Sequence, residues 1–372
     1  MTALVAHGDP NCCNADGMTP LMLAAAGGHI EVVRLLVTSG TKVNASPSPW
    51  GFTPLGLASA RGDVDIVTVM LHWKAEPTIE THSGHAPLLA AAAAGHTQVC
   101  AVLLEHGADV DASDERGITA LMLAVERERL EVVRMLLGHM ASVASVDRRS
   151  SSAFTRAIEA VLRADPQALH IRMSVSGHMS KYDGCTEIAR GLAERRAAVD
   201  LADAAGQTPL LRAVRAQRTD VVVLLLDLGA DKDFPVPALG GATVLLQAVR
   251  DGSKDMTQVL IMRGASVNRI SCDGYAPVFV AAEMGAEDLV VVLLNAGASP
   301  HRRNPRTGET LVMMAAARGM HSVYGHLLSV TPVLPVSPSG AEVLDATTRT
   351  MGSTARTQGE DTETDEASDD AA

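Results

Sequence analysis

One phrase in this chain returns too regularly for a single globular core to explain it. Residues 19–44 read TPLMLAAAGGHIEVVRLLVTSGTKVN, and a degraded copy, TPLGLASARGDVDIVTVML, begins at Thr53. With the Pro of Thr-Pro-Leu as register mark, equivalent positions fall at Pro20, Pro54, Pro87, Ala120, Ala153, Pro209, Val244, Pro277 and Leu311. The steps are 34, 33, 33, 33, 56, 35, 33 and 34 residues, so only one breaks the rhythm. A period of this length marks an array of small units, none of which buries its apolar face alone, stacked so that each covers its neighbour.

Each part of the phrase has a physical purpose. Thr19, Thr53, Thr119, Thr208, Thr243 and Thr310 suit a helix N-cap, where a hydroxyl accepts from an orphan backbone N–H. Proline next to it occupies the first helical position, where a missing N–H is harmless. Four residues past the mark stands alanine in all nine units, from Ala24 to Ala315, and a small side chain there lets neighbouring helices approach closely. Gly28, Gly62, Gly95, Gly252, Gly285 and Gly319 end the first helix. A second helix follows, with apolar residues such as Val32, Val33, Leu35 and Leu36 at helical spacing. Gly40, Gly107, Gly229, Gly264 and Gly297 close it, and a turn such as Asp16-Gly17 leads into the next unit. Composition fits thin layers: 47% of residues are hydrophobic but only 2% aromatic, whereas a thick core recruits large rings.

The phrase resembles the ankyrin repeat, a β-turn finger and two antiparallel helices with a Thr-Pro-Leu-His-x-Ala signature, over residues 1–330. The resemblance implies an all-α ankyrin-repeat solenoid of about nine repeats. The family's His, which ties adjacent loops together, is replaced by Met22, Gly56, Leu89, Met122, Thr155, Leu211, Leu246, Phe279 and Met313. Apolar packing must then substitute, and a softer array is expected. Asn44 and Asn268 resemble positions that asparagine hydroxylases modify in this family, although Lys42 and Ser266 stand where an acidic residue is expected.

The array divides into a partial N-terminal repeat (1–15), a first block (16–160), an insertion within the fifth repeat (161–184), a second block (185–330) and an acidic tail (331–372). For residues 1–15 two readings stand: an N-terminally truncated product, or a makeshift cap formed by Leu4 and Val5. Within the insertion, Pro166 is expected to end the helix before it. The tail carries nine acidic and two basic residues and few large apolar ones, so it is expected to be disordered.

No motif for catalysis or phosphate binding occurs: Gly-x-x-x-x-Gly-Lys-Ser/Thr, Gly-x-Ser-x-Gly and His-Glu-x-x-His are all absent. His82, His85 and His96 lack cysteine or carboxylate partners at ligand spacing, so neither metal nor cofactor is expected. Five cysteines without a Cys-x-x-Cys pair favour free thiols in a reducing compartment, cytoplasmic or nuclear. A net charge of −12 speaks against nucleic acid, and no apolar run is long enough to insert in a membrane. The expected function is a non-enzymatic scaffold or adaptor, a monomer binding a protein partner. The alternative is the regulatory ankyrin region of a longer protein whose catalytic or signalling domain lies elsewhere.

The family binds through finger tips and the inner faces of the first helices. On the fingers here stand Trp50, Phe52, His82, His85, Arg148, Arg149, Tyr275, Arg302, Arg303 and Arg306. On the inner face the early units place Leu23, Ala26, Leu57, Ala60, Ala90 and Ala93, and later ones Arg156, Arg212, Arg215, Gln247, Arg250, Glu283 and Arg318. A groove apolar early and basic late suits an extended peptide with an acidic segment. Partner binding is therefore expected at the finger residues together with Arg212, Arg215 and Arg250. The acidic tail is one candidate occupant.

Overall fold

A computed structural model describes residues 9–46, 48–164 and 181–330. Among them are eighteen α-helices in nine consecutive pairs and no strand. The pairs are α1 (Pro20–Gly27) with α2 (Ile30–Thr38), α3 (Pro54–Arg61) with α4 (Val64–His72), and α5 (Pro87–Ala94) with α6 (Thr97–Glu105). Next come α7 (Ala120–Glu126) with α8 (Leu130–Gly138), α9 (Ala153–Arg163) with α10 (Lys181–Glu194), and α11 (Pro209–Arg215) with α12 (Thr219–Asp227). The last three are α13 (Val244–Arg250) with α14 (Lys254–Met262), α15 (Pro277–Glu283) with α16 (Glu287–Asn295), and α17 (Leu311–Ala317) with α18 (His321–Val330). First helices stack on first helices and second on second, giving two layers with the core between them.

The helix starts form as the caps dictate. The hydroxyls of Thr19, Thr53, Thr119, Ser152, Thr208 and Thr310 each accept from the backbone N–H three residues on, at 3.0–3.4 Å. Thr243 departs from the expected pattern: its hydroxyl is buried, makes no cap bond and has no hydrogen-bond partner among the described residues. The nine register alanines are all buried, Ala24 the least so at 5% exposure. Their methyls are what the helix-to-helix spacing accommodates.

The signature-histidine position faces the next unit. Met22, Leu89, Met122, Thr155, Leu211, Leu246 and Phe279 are buried there, while Met313, after which no described unit follows, is exposed. The loop tie is not lost with the imidazole. Side chains at the close of several units supply it, with Asn11, Asn44, Asp111, Asp200, Asp233 and Asn268 accepting from a backbone N–H of the next unit at 2.8–3.1 Å. Asn44 and Asn268 also donate, to the carbonyls of Lys74 and Gly297. Apolar packing and these hydrogen bonds therefore together stand in for the histidine.

The insertion sits between α9 and α10, and its middle, residues 165–180 with Pro166, lies outside the described residues, as do residues 1–8 and 331–372. Ile188 and Leu192 of α10 are buried, as their spacing requires of a fifth second helix. The outer layer is thinnest here: α10 and α12 pack at most weakly, whereas all other consecutive second helices pack on each other. The inner layer and the loops cross the seam instead. Arg212 of α11 pairs with Glu159 of α9. Arg218 donates to the carbonyls of Leu162 and Ala164 at 3.1 and 2.9 Å, capping the end of α9.

Candidate interaction surface

The fingers are built from two residue types. Six residues before the mark, a short polar side chain accepts from the backbone N–H groups of its own turn. Asn14, Asp114, Asp147 and Asp203 each bond residues two and four further on, and Ser48, Thr81 and Ser271 bond the fourth alone. Sequence reading missed this set, although Asn, Asp, Ser or Thr at that register was the available signal. Three residues before the mark the backbone turns left-handed in all nine units, at glycine in eight and at Ser150, φ 57°, in the fifth. A Cβ on Gly84 would lie 2.8 Å from the Glu115 nitrogen of the next finger, so the glycine also permits the close approach.

That approach makes a ladder. The N–H of His82 donates to the Trp50 carbonyl at 3.1 Å, Glu115 to Ser83 at 3.3 Å, Arg148 to Arg116 at 2.9 Å, Ala204 to Arg149 at 3.0 Å and Ala238 to Gly206 at 3.0 Å. The Cys272 thiol continues it to Gly240. Antiparallel bridges such as Val146 to Ser152 and Arg303 to Thr310 pin individual fingers. The ladder crosses the insertion without a gap, since the fifth finger bonds the sixth.

On this ladder Trp50 and Phe52 are exposed, Trp50 at 68%. His82 is beside them, its Nδ1 donating to the Pro49 carbonyl at 2.8 Å. His85 is half-buried and its Nδ1 lies 2.7 Å from the Ser83 hydroxyl. Trp50, Phe52 and His82 thus form one patch on the second and third fingers. Arg148 and Arg149 are exposed on the fifth finger, and Arg302, Arg303 and Arg306 on the ninth. Tyr275 is half-buried, packed against the core, and offers less surface than an exposed ring.

The inner face is apolar early, with Leu23 and Ala26 exposed and Leu57 and Ala90 partly so. Its later half is corrected by Glu126 and Glu159, acids that the basic-groove expectation left out. Arg156 bridges Glu126 and Asp147, and Arg212 bridges Glu159 and Asp203. Arg212 is therefore no free cation: it joins the fifth and sixth units. Burial alone would lower its pKa, but the hydrogen bonds and charges of Asp203 and Glu159 outweigh that and raise it. Asp203 mirrors it. Burial pushes its carboxyl up, yet the N–H of Gln207 and the Arg212 guanidinium hold it below the usual carboxylate value. Asp114 follows the same pattern, with the Ile118 N–H and Arg116 overcoming burial. Arg215 and Arg250 are exposed and make no ion pair among the described residues.

No group of three His, Cys, Asp or Glu side chains suited to a metal exists among the described residues. Burial pushes the Cys100 thiol up to about 12, so it packs as a small apolar group. No helix among the described residues is long and apolar enough to cross a membrane.

A family model of ankyrin repeats in three copies matches residues 1–81, 74–147 and 235–304, and a single-repeat model matches residues 205–235. Among similar proteins, a putative ankyrin repeat-containing protein of Treponema pallidum (strain Nichols) is 39% identical over 106 residues, 27% of this chain and 34% of its own length. The B-cell lymphoma 3 protein homolog of Mus musculus is 34% identical over 113 residues, 30% of this chain and 25% of its own length. The chain thus spans about a third of the first of those relatives and a quarter of the second. The Notch-regulated ankyrin repeat-containing protein of Homo sapiens is 32% identical over 84 residues, 22% of this chain and 74% of its own length. With the matched segments covering more than half of its length and nine helix pairs in one register, the chain belongs to the ankyrin-repeat family.

Proposed function

We propose that this chain is a non-enzymatic scaffold or adaptor that binds an extended peptide of a partner protein along its fingers and inner face. The apolar end of the peptide lies over the first three units and its acidic end over the last. The observation that carries the reading is the pair of unlike ends of one row of fingers: Trp50 and Phe52 exposed on the second finger, and Arg302, Arg303 and Arg306 exposed on the ninth with no ion pair among the described residues. Exposed Trp and Arg dominate binding energy more often than other residue types. Arg215 and Arg250 extend the cationic surface onto the inner face, whereas Arg212 supports the array. Working in the cytoplasm or nucleus as a monomer fits this reading.

The test is the binding rate of a captured partner. Trp50→Ala is expected to speed dissociation, at a cost of about 2 kcal/mol. R302Q/R303Q/R306Q is expected to slow association and to flatten its salt dependence, because screening shortens the reach of charge. Arg212 is left intact, since a carboxylate there would face Glu159 and Asp203. A partner that binds both variants as it binds the wild type removes the proposal. The second reading, a regulatory region within a longer protein, draws on the small share of the first two relatives that the match covers.

A further inference from the structure

The ninth finger concentrates basic residues in a chain that is acidic as a whole. His301, Arg302, Arg303 and Arg306 lie within six residues and all are exposed. Arg269 is exposed one residue from Asn268, whose side chain holds the Ser299 N–H at 2.8 Å, so it stands on the loop that abuts this finger. None of the five makes an ion pair among the described residues. The Arg303 guanidinium donates to the Gly308 carbonyl at 3.0 Å, and the nearby Glu309 carboxylate accepts from the Thr307 hydroxyl. Other arginines of the array are matched with acids, as Arg156 is with Glu126 and Asp147, although Arg215 and Arg250 on the inner face are not. Here the match is missing.

The complementary charge lies in the same chain. Glu360, Asp361, Glu363, Asp365, Glu366, Asp369 and Asp370 put seven carboxylates into eleven residues with no cation among them. The end of the last helix fixes where that segment departs. Helix α17 starts at the ninth finger, directly after Thr310, and α18 runs back antiparallel to it. Val330 therefore ends the last helix on the side of the unit from which the ninth finger leads into α17. The thirty residues from there to Glu360 span at most about 100 Å, so reach is not limiting.

We propose that the acidic segment 360–370 docks on the arginines of the ninth finger and competes there with the acidic end of a partner. The inference rests on the reading of that finger as an acid-binding surface and adds its regulation. Attraction between opposite charges supplies the contact, and attachment to the same chain supplies the local concentration.

The test uses the full chain in three forms: wild type, a variant with the seven carboxylates amidated (Glu→Gln, Asp→Asn), and R302Q/R303Q/R306Q. Circular dichroism first checks that all three keep the same helical content. The probe is a fluorescent ten-residue polyglutamate peptide, and its anisotropy is followed as salt is raised through 0.1 M, where the Debye length is ~10 Å. The amidated variant is expected to bind the probe about fivefold more tightly than wild type, a coupling of ordinary size. The arginine variant is expected to bind it weakly, and high salt should erase the differences. Hydrogen exchange of residues 299–309 should quicken when the carboxylates are amidated. Equal probe binding and equal exchange in wild type and amidated forms overturn the proposal, while partner binding that responds to Trp50→Ala would leave the proposed function standing. Protection that grows with protein concentration would place the segment on a second copy and overturn the intramolecular docking.

Discussion

At the scale of single residues, the backbone conformation repeats more faithfully than the amino acid. Lys74, Met140 and Arg196 have positive φ where other units end the second helix with glycine. Glu128 and Gln217 do so where Gly28, Gly62, Gly95, Gly252, Gly285 and Gly319 end the first. A Cβ in the left-handed region costs about 1–2 kcal/mol, partly offset because glycine loses more freedom on folding. Gln217→Gly, at φ 55°, and Arg196→Gly, at φ 62°, should therefore each stabilise the fold by about 0.5–1 kcal/mol. Gly62→Ala should destabilise it by more, because its Cβ would overlap the His96 imidazole at φ 90°. Urea unfolding followed by helical signal measures all three, and a drop in stability for Gln217→Gly would show that the register assignment is wrong. Such residues were hidden in the sequence: nothing in Gln217 announces a helix end, and only its distance from Pro209 does.

At the scale of helices, the insertion is a seam closed on one side. The outer pair α10 and α12 barely meets, while Arg212, Arg218 and the bond from Ala204 to Arg149 carry the junction through the inner layer and fingers. Each unit of a solenoid is stabilised chiefly by its neighbours, so a thin interface lowers cooperativity locally. Hydrogen exchange should find the helices of residues 9–150 and 201–330 protected to different levels. Arg218→Met, which removes a charged donor to two carbonyls, should cost about 1.5–3 kcal/mol and widen that difference. One uniform protection level in both proteins would mean that the seam transmits cooperativity fully. The 56-residue step made the interruption legible in sequence. Which contacts bridge it was not, because Arg212 and Glu159 are far apart in the chain and only stacking brings them together.

At the scale of the whole molecule, the finger carboxylates couple stability to pH. Asp114 and Asp203 are held below the usual value of 3.8 once burial is overcome by hydrogen bonds and arginine. A group with a depressed folded pKa contributes stability that is fully present above its unfolded pKa and is lost as pH falls through the folded one. The array should therefore hold its stability from neutral pH down to about pH 4 and lose it below, as these carboxylates take up protons. Asp200 works in the opposite sense, since burial raises its carboxyl. Asp203→Asn with Asp114→Asn should lower stability at pH 7 and make the acid limb of the thermal midpoint shallower. An unchanged limb would assign acid unfolding to other groups.

What the sequence determined alone was the unit: its length, its caps, its alanines and the direction of each helix. All of these act within about 33 residues and depend on local hydrogen bonding and side-chain size. It also placed Trp50, Phe52 and the arginines of the ninth finger on the fingers, because a finger is defined by its register to Thr-Pro. Only the tertiary structure decided which charges are free. Arg212 and Arg302 look alike in sequence, yet one lies between two carboxylates contributed by its own finger and the preceding unit, and the other pairs with none among the described residues. The difference is one of stacking: the side chains that neutralise an arginine come from the neighbouring layer, and the linear order gives their identity without their distance.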